Sequence, residues 1–236
     1  MKRWQRAIGQ WLAWLLAAAL VLQLFFVLRI ALMAWWNPAS TAFERSQLWH
    51  TWQPASTPHV WRQQWVDYER IAPALKQAVL TAEDDTFVQH NGVQWQAIEK
   101  AWQRNQQAQQ QGKNVVRGGS TITQQLAKNL LLSGERSLLR KGQELLLTHA
   151  LELLLDKRRI LELYLNHAEW GRGVFGAEAA ARHYFNKSAS QLTRLEAARL
   201  AVMLPNPRHY ERQPHSPYLQ ARTRTIAARM GNTQIP

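Results

Sequence analysis

An apolar run near the start of the chain constrains its fold more than any other feature. Trp11–Leu28 is interrupted only by Gln23, and after Arg29 the apolar character resumes as far as Trp36. About 20 such residues cross a bilayer as a helix, so the run predicts one uncleaved transmembrane anchor with everything after it tethered. Lys2, Arg3 and Arg6 precede the run and no acidic residue occurs before Glu44, which predicts a cytoplasmic N-terminus and an exported remainder. Trp11 and Trp35–Trp36 fall where the two interfaces would lie. A cleaved signal peptide is the rival reading, but the run is long and Trp35–Trp36 is not a small-residue cleavage context. Arg29 must snorkel to the outer headgroups, so the outer boundary is expected between Leu28 and Trp36.

The expected division is a cytoplasmic tail (1–10), the anchor (11–36), a juxtamembrane connector (37–60) and one folded domain (61–236). Trp49 and Trp52 are expected to pack the connector against the bilayer. Roughly 200 residues beyond the anchor suffice for one sizeable core, with no room for a second catalytic domain of ordinary size. There is no cysteine, so no disulfide supports the exported part. The formal charge is +13, and setting aside Lys2, Arg3, Arg6 and Arg29 leaves +9 on that part. Nucleic acid is an implausible partner for an exported, tethered chain, which leaves lipid headgroups and lipid pyrophosphates as counter-charges. The C-terminal arginines Arg208, Arg212, Arg222, Arg224 and Arg229 fit either a bilayer contact or a solvated helix face.

Helical spacing is clear at Ile71, Leu75, Ala78 and Val79, which carries Glu83 to the end of a helix where a cleft can reach it. Leu138–Leu155, Ile160–Asn166 and Ser190–Leu204 read as further helices, the last stopped by Pro205-Asn206-Pro207. The Gln-rich stretch 103–114 reads as a mobile loop or frayed helix. No stretch alternates as a strand would, so the domain is expected to be mainly α.

The chemistry concentrates between residues 82 and 144. Gly118-Gly119 permits close backbone approach, Ser120 is a good N-cap, and the helix that follows offers free N–H groups to an anion. Lys128 and Arg136 add positive charge nearby. Glu83 and Glu144 are the candidate acids. Glu144 shares a helix face with Leu147, Leu151 and Leu155, so it needs a partner there, and Arg140 one turn earlier can supply an ordinary ion pair. His90 reads as a hydrogen-bonding residue of the Glu83 loop, since no second His stands at a ligand spacing.

In sequence order, EDDTFVQHNG, GGSTITQQLAKN, RKGQELLL, KRRILELYLN and GRGVFGAEAAARHYF resemble the motifs of the family 51 glycosyltransferases, the peptidoglycan glycosyltransferases. The resemblance runs from about Trp65 to about Pro207. It implies a lysozyme-like helical domain that polymerises lipid II into β-1,4-linked glycan with inversion, releasing undecaprenyl pyrophosphate. The bifunctional relatives carry Ser-x-x-Lys and Lys-Thr-Gly transpeptidase strings, and neither occurs here.

Residue by residue, the resemblance makes Glu83 the general base for the acceptor's 4-hydroxyl. Glu144 becomes a second essential acid near the donor pyrophosphate or a bound divalent cation. Lys128 and Arg136 contact phosphates, while Ser120 and Gln125, with Gly119 and then Gln124, line the substrate. Gly171, Gly173 and Gly176 after Glu169 match the family's last motifs as a tight turn, with Tyr164 and Asn166 serving packing and capping. No organic cofactor and no protein metal ligand is implied, though Mg²⁺ or Mn²⁺ has a place. The implied partners are lipid II, the growing lipid-linked chain, the inner membrane, and division or elongation proteins. A glycan hydrolase of the same fold and a tethered lipid II-binding scaffold are the rival readings.

Overall fold

A computed structural model describes residues 2–51, 61–111, 119–132 and 137–236, with side chains from Trp4 to Ser46 in the first stretch. Arg136, Trp49 and Trp52, to which the sequence assigned roles, lie outside the described residues or side chains. The order is α1 (Lys2–Leu32), α2 (Ala42–Thr51), β1 (Arg62–Gln63), α3 (Pro73–Glu83), α4 (Trp95–Gln110), α5 (Ile122–Leu131), α6 (Leu138–Leu154) and α7 (Lys157–His167). There follow β2 (Glu169–Gly171), β3 (Val174–Phe175), α8 (Ala177–Phe185), α9 (Arg194–Met203), α10 (Pro207–Arg212) and α11 (Pro217–Arg229). The mainly α expectation is met. A small sheet of order β1-β3-β2 accompanies the helices, with β1 parallel and β2 antiparallel to β3. Its strands are two or three residues long, too short for alternation to register in sequence.

Local chemistry sets most helix starts. Ser137, Asp156 and Ser216 accept hydrogen bonds from the backbone three residues on, at α6, α7 and α11. Thr193 forms a capping box with Glu196 at α9. Pro73 opens α3, where its missing N–H costs nothing. Leu75, Val79 and Leu80 of α3 pack into a core with Leu126 and Leu130 of α5 and Ala197, Leu200 and Ala201 of α9. Gly176 stands at φ +85°, and a Cβ there would lie 2.7 Å from the Asn166 carbonyl, which fixes the tight turn into α8.

α1 extends beyond the apolar run at its N-terminal end. It is helical from Lys2, and Trp4–Leu22 is exposed on every side. At 1.5 Å per residue that stretch is roughly 28 Å long, close to the hydrocarbon thickness of about 30 Å. From Gln23 onward one face turns to protein. The Gln23 and Gln143 side-chain amides bond reciprocally at 2.8 and 3.0 Å, and Phe26, Ile30 and Met33 join the core. Arg159 donates to the Met33 and Trp36 carbonyls and to Asn37 Oδ1, fixing the exit of the chain. Apolar composition serves lipid and core alike, so hydropathy could not separate the two roles.

The described part of the connector is also docked. In α2, Glu44 is fully buried and caps its own helix through Thr41. Its Oε1 meets His167 Nδ1 at 2.9 Å and accepts from Gln63 at 3.0 Å. These bonds tie α2 to the end of α7 and to β1, while α2 packs on α5 and Phe43 meets the ring of Phe175 edge-on.

Candidate active site

A cleft of about 1530 Å³ contains Glu83, larger than the roughly 300–1,000 Å³ typical of small-molecule pockets. Asp84, Thr86 and His90 line it beside Glu83, with Gly119, Ser120, Gln125, Lys128 and Asn129 from the next motif and Tyr164 from α7. A second group is Trp95, Ala97, Lys100 and Arg104 of α4, and a third is Glu169, Leu204, Pro205, Pro207, Tyr218 and Arg222.

Glu83 ends α3 half-buried in the cleft wall. Its Oε2 accepts from Gln125 Nε2 at 2.8 Å, and the Tyr164 hydroxyl donates to Gln125 Oε1 at 3.1 Å. Among the described residues Oε1 accepts no hydrogen bond. Burial raises the Glu83 pKa, the Gln125 bond opposes this, Asp84 adds to the rise, and Lys128 lowers it. The Tyr164 hydroxyl is pushed well above its ordinary value by burial and by Glu83 and Asp84. It therefore stays protonated and fixes the orientation of the Gln125 amide. The sequence reading assigned Tyr164 to packing and missed this relay.

Asp84 is a buried anchor. Its Oδ1 meets His90 Nε2 at 2.9 Å and accepts from Gln94 at 3.0 Å, while Oδ2 accepts from the Ile122 N–H at the start of α5 at 3.0 Å. The Gly92 N–H donates to His90 Nδ1 at 3.1 Å, so His90 carries its proton on Nε2 toward Asp84. His90 is thus the structural hydrogen-bonding residue that the sequence indicated.

Thr121, not Ser120, caps α5. It forms a capping box with Gln124, and its hydroxyl donates to the Gly92 carbonyl at 2.5 Å. Gln124 is 2 % exposed and bonded into that box, so this geometry gives no support to its expected contact with substrate. Ser120 is exposed on the cleft, as a ligand-facing residue must be. Gly119 lines the cleft too, but its small size serves packing. A Cβ there would lie 3.0 Å from the Ala97 carbonyl and 3.2 Å from Ile98 Cα, so glycine lets α4 close onto the motif. Of the two readings of 103–114, mobile loop or frayed helix, the described part is helical, since α4 continues through Gln110.

Glu144 lies outside the cleft lining described above. It is 3 % exposed, with Oε2 3.2 Å from Arg140 and Oε1 bonded to Lys141, so the ordinary ion pair foreseen with Arg140 is formed. Among the described residues no group of three or more His, Cys, Asp or Glu side chains could hold a metal ion. Of the C-terminal arginines, Arg212 and Arg224 are exposed, as a bilayer contact or a solvated helix face requires. Arg208 pairs with Glu169 at 2.7 Å, Arg229 lies 3.7 Å from Asp85, and Arg222 faces the cleft.

A family model described as Transglycosylase matches residues 52–231. A protein of Bordetella pertussis is 51% identical over 233 residues, covering 99% of this chain and 96% of the relative. One from Bordetella avium is 50% identical over 235 residues, covering 100% and 98%, and one from Herminiimonas arsenicoxydans is 51% identical over 220, covering 92% of each. All three bear the name biosynthetic peptidoglycan transglycosylase. The chain belongs to the transglycosylase family, and its helices form the lysozyme-like fold of that family.

Proposed function

We propose that this chain polymerises lipid II into β-1,4-linked glycan strands, the fine form of the glycan-strand synthesis in cell-wall assembly that its family and relatives establish. The observation that carries the reading is Glu83, held at one oxygen by the Gln125–Tyr164 relay and without a partner at the other among the described residues, in a cleft that Lys128 also lines. Glu83 takes the proton of the acceptor's 4-hydroxyl as that oxygen bonds to the donor's C1. The C1–oxygen bond to phosphate breaks on the opposite face, and its electron pair leaves with undecaprenyl pyrophosphate. The anomeric configuration inverts, and Glu83 returns its proton to water.

Lys128 faces the developing charge, with Arg136 as its companion by resemblance. Ser120 and Gly119 border the same cleft and contact substrate oxygens, and Glu144 acts through the Arg140–Lys141 pair that it holds. A divalent cation, if bound, would sit with the substrate's pyrophosphate and would supply positive charge to the leaving group. The chain carries no Ser-x-x-Lys or Lys-Thr-Gly string, and the activity proposed for it is glycosyl transfer.

Membrane anchoring follows from α1, whose mean hydropathy over its most apolar window is 2.5. We further propose an N-in orientation in the inner membrane, with the cleft on the periplasmic side. Leu139, Leu146 and Leu153 support a close seat on the bilayer: they recur every seven residues along α6, 60–89 % exposed, on the helix that packs against α1. Division or elongation proteins are further partners in this proposal.

Replacing Glu83 with Gln should lower polymerisation by at least about a hundredfold while lipid II still binds. Lys128→Ala should weaken lipid II binding with little change in melting temperature. Near-normal turnover in Glu83→Gln contradicts the base assignment, and unfolding of Lys128→Ala with unchanged affinity in the folded fraction contradicts the phosphate assignment.

A further inference from the structure

The third group of cleft residues takes no part in the reaction described above, yet its chemistry is that of a sugar-binding wall. Tyr218 lines the cleft and is 62 % exposed, and its ring lies within 9° of parallel to that of Tyr210, centroids 6.2 Å apart. That offset stack fixes the Tyr218 ring and leaves area open to a ligand. Ser216 caps α11 and Pro217 opens it, which holds Tyr218 on a rigid first turn. Arg222, one turn further along the same helix face, also lines the cleft.

Glu169 of β2 completes the wall, held by Arg208 at 2.7 Å. A carboxylate repels a pyrophosphate but accepts hydrogen bonds from hydroxyl and amide groups. An exposed aromatic ring covers the apolar face of a pyranose, and a guanidinium donates to its oxygens in a plane. The combination fits an uncharged amino sugar better than it fits a phosphate. We propose that Tyr218, Arg222 and the Glu169–Arg208 pair form a subsite for sugars of the growing glycan strand, and that this subsite sets how many additions occur before the strand leaves. The proposal rests on the polymerase reading. Strand length depends on elongation relative to dissociation, and lost contacts act mainly on dissociation.

The test is the length distribution of glycan made from labelled lipid II, measured beside the rate of lipid II consumption, for the full chain and its Tyr218→Ala, Tyr218→Trp and Arg222→Ala variants. Mean length should fall several-fold in Tyr218→Ala and in Arg222→Ala, by a larger factor than consumption falls, and Tyr218→Trp should restore it. Arg222→Ala supplies the same test should Tyr218→Ala fail to fold. Unchanged length in a folded Tyr218→Ala or Arg222→Ala variant overturns the subsite alone, as does an equal fall in length and consumption that Tyr218→Trp does not restore. Absence of polymer from the wild-type chain overturns the polymerase reading beneath it.

Discussion

At the scale of single residues, the chemistry turns on how Glu83 is kept basic while remaining reachable. Burial raises its pKa above the usual carboxylate value of about 4.3. Activity should therefore fall as pH drops through that raised value, at a higher pH than an exposed glutamate would give. Gln125 donates to the carboxylate and stabilises its charged form, so Gln125→Met should move the acidic limb of kcat upward in pH. A limb that stays put or moves down contradicts the relay. The linkage to stability has the opposite sense. A folded-state pKa above the unfolded one favours folding when Glu83 is protonated, and that contribution is lost as pH rises through the folded value. At neutral pH the carboxylate is thus a cost to the fold, and Glu83→Gln should melt no lower than the wild type.

Helix ends, rather than helix faces, assemble the site. Asp84 joins the end of α3 to the start of α5 and holds His90 and Gln94, so Asp84→Ala leaves several buried donors without their acceptor. Thermal or denaturant unfolding of that variant should show a loss of roughly 3 kcal/mol, as for other buried polar groups stripped of a partner, and a loss below about 1 kcal/mol contradicts the anchor. Such links explain what was legible in sequence. Glu83, Lys128 and Ser120 were readable because local motifs carry them, and α3, α6 and α7 because their apolar spacing is regular. The α5 cap was legible too: Gln124 stands three residues after Thr121, the spacing of a capping box, whereas Thr123 stands three after Ser120. The Gln-rich half of α4 was left between mobile loop and frayed helix because it lacks apolar periodicity, although Gln, Ala and Arg are good helix formers. Tyr164, Glu169 and Tyr218 reach the cleft from segments distant in sequence, and no local pattern marks such contacts.

On the scale of the whole molecule, anchor and catalytic body form one packed unit. α1 runs from fully exposed apolar turns into the core, and Phe43 of α2 lines the cleft. Substrate whose lipid tail stays in the bilayer then meets Glu83 at a fixed place relative to the membrane. A reporter active only outside the cytoplasm, fused after Pro236, should be active and stay in the membrane fraction at full-length mass. An inactive reporter contradicts the periplasmic site, and a shortened soluble product contradicts the permanent anchor. The most direct measurement incubates the purified full-length chain with labelled lipid II and follows the label by size before and after lysozyme. The account predicts high-molecular-weight glycan that lysozyme digests, absent with Glu83→Gln. Label that remains monomeric with the folded wild-type chain, or polymer made equally well by Glu83→Gln, would contradict it.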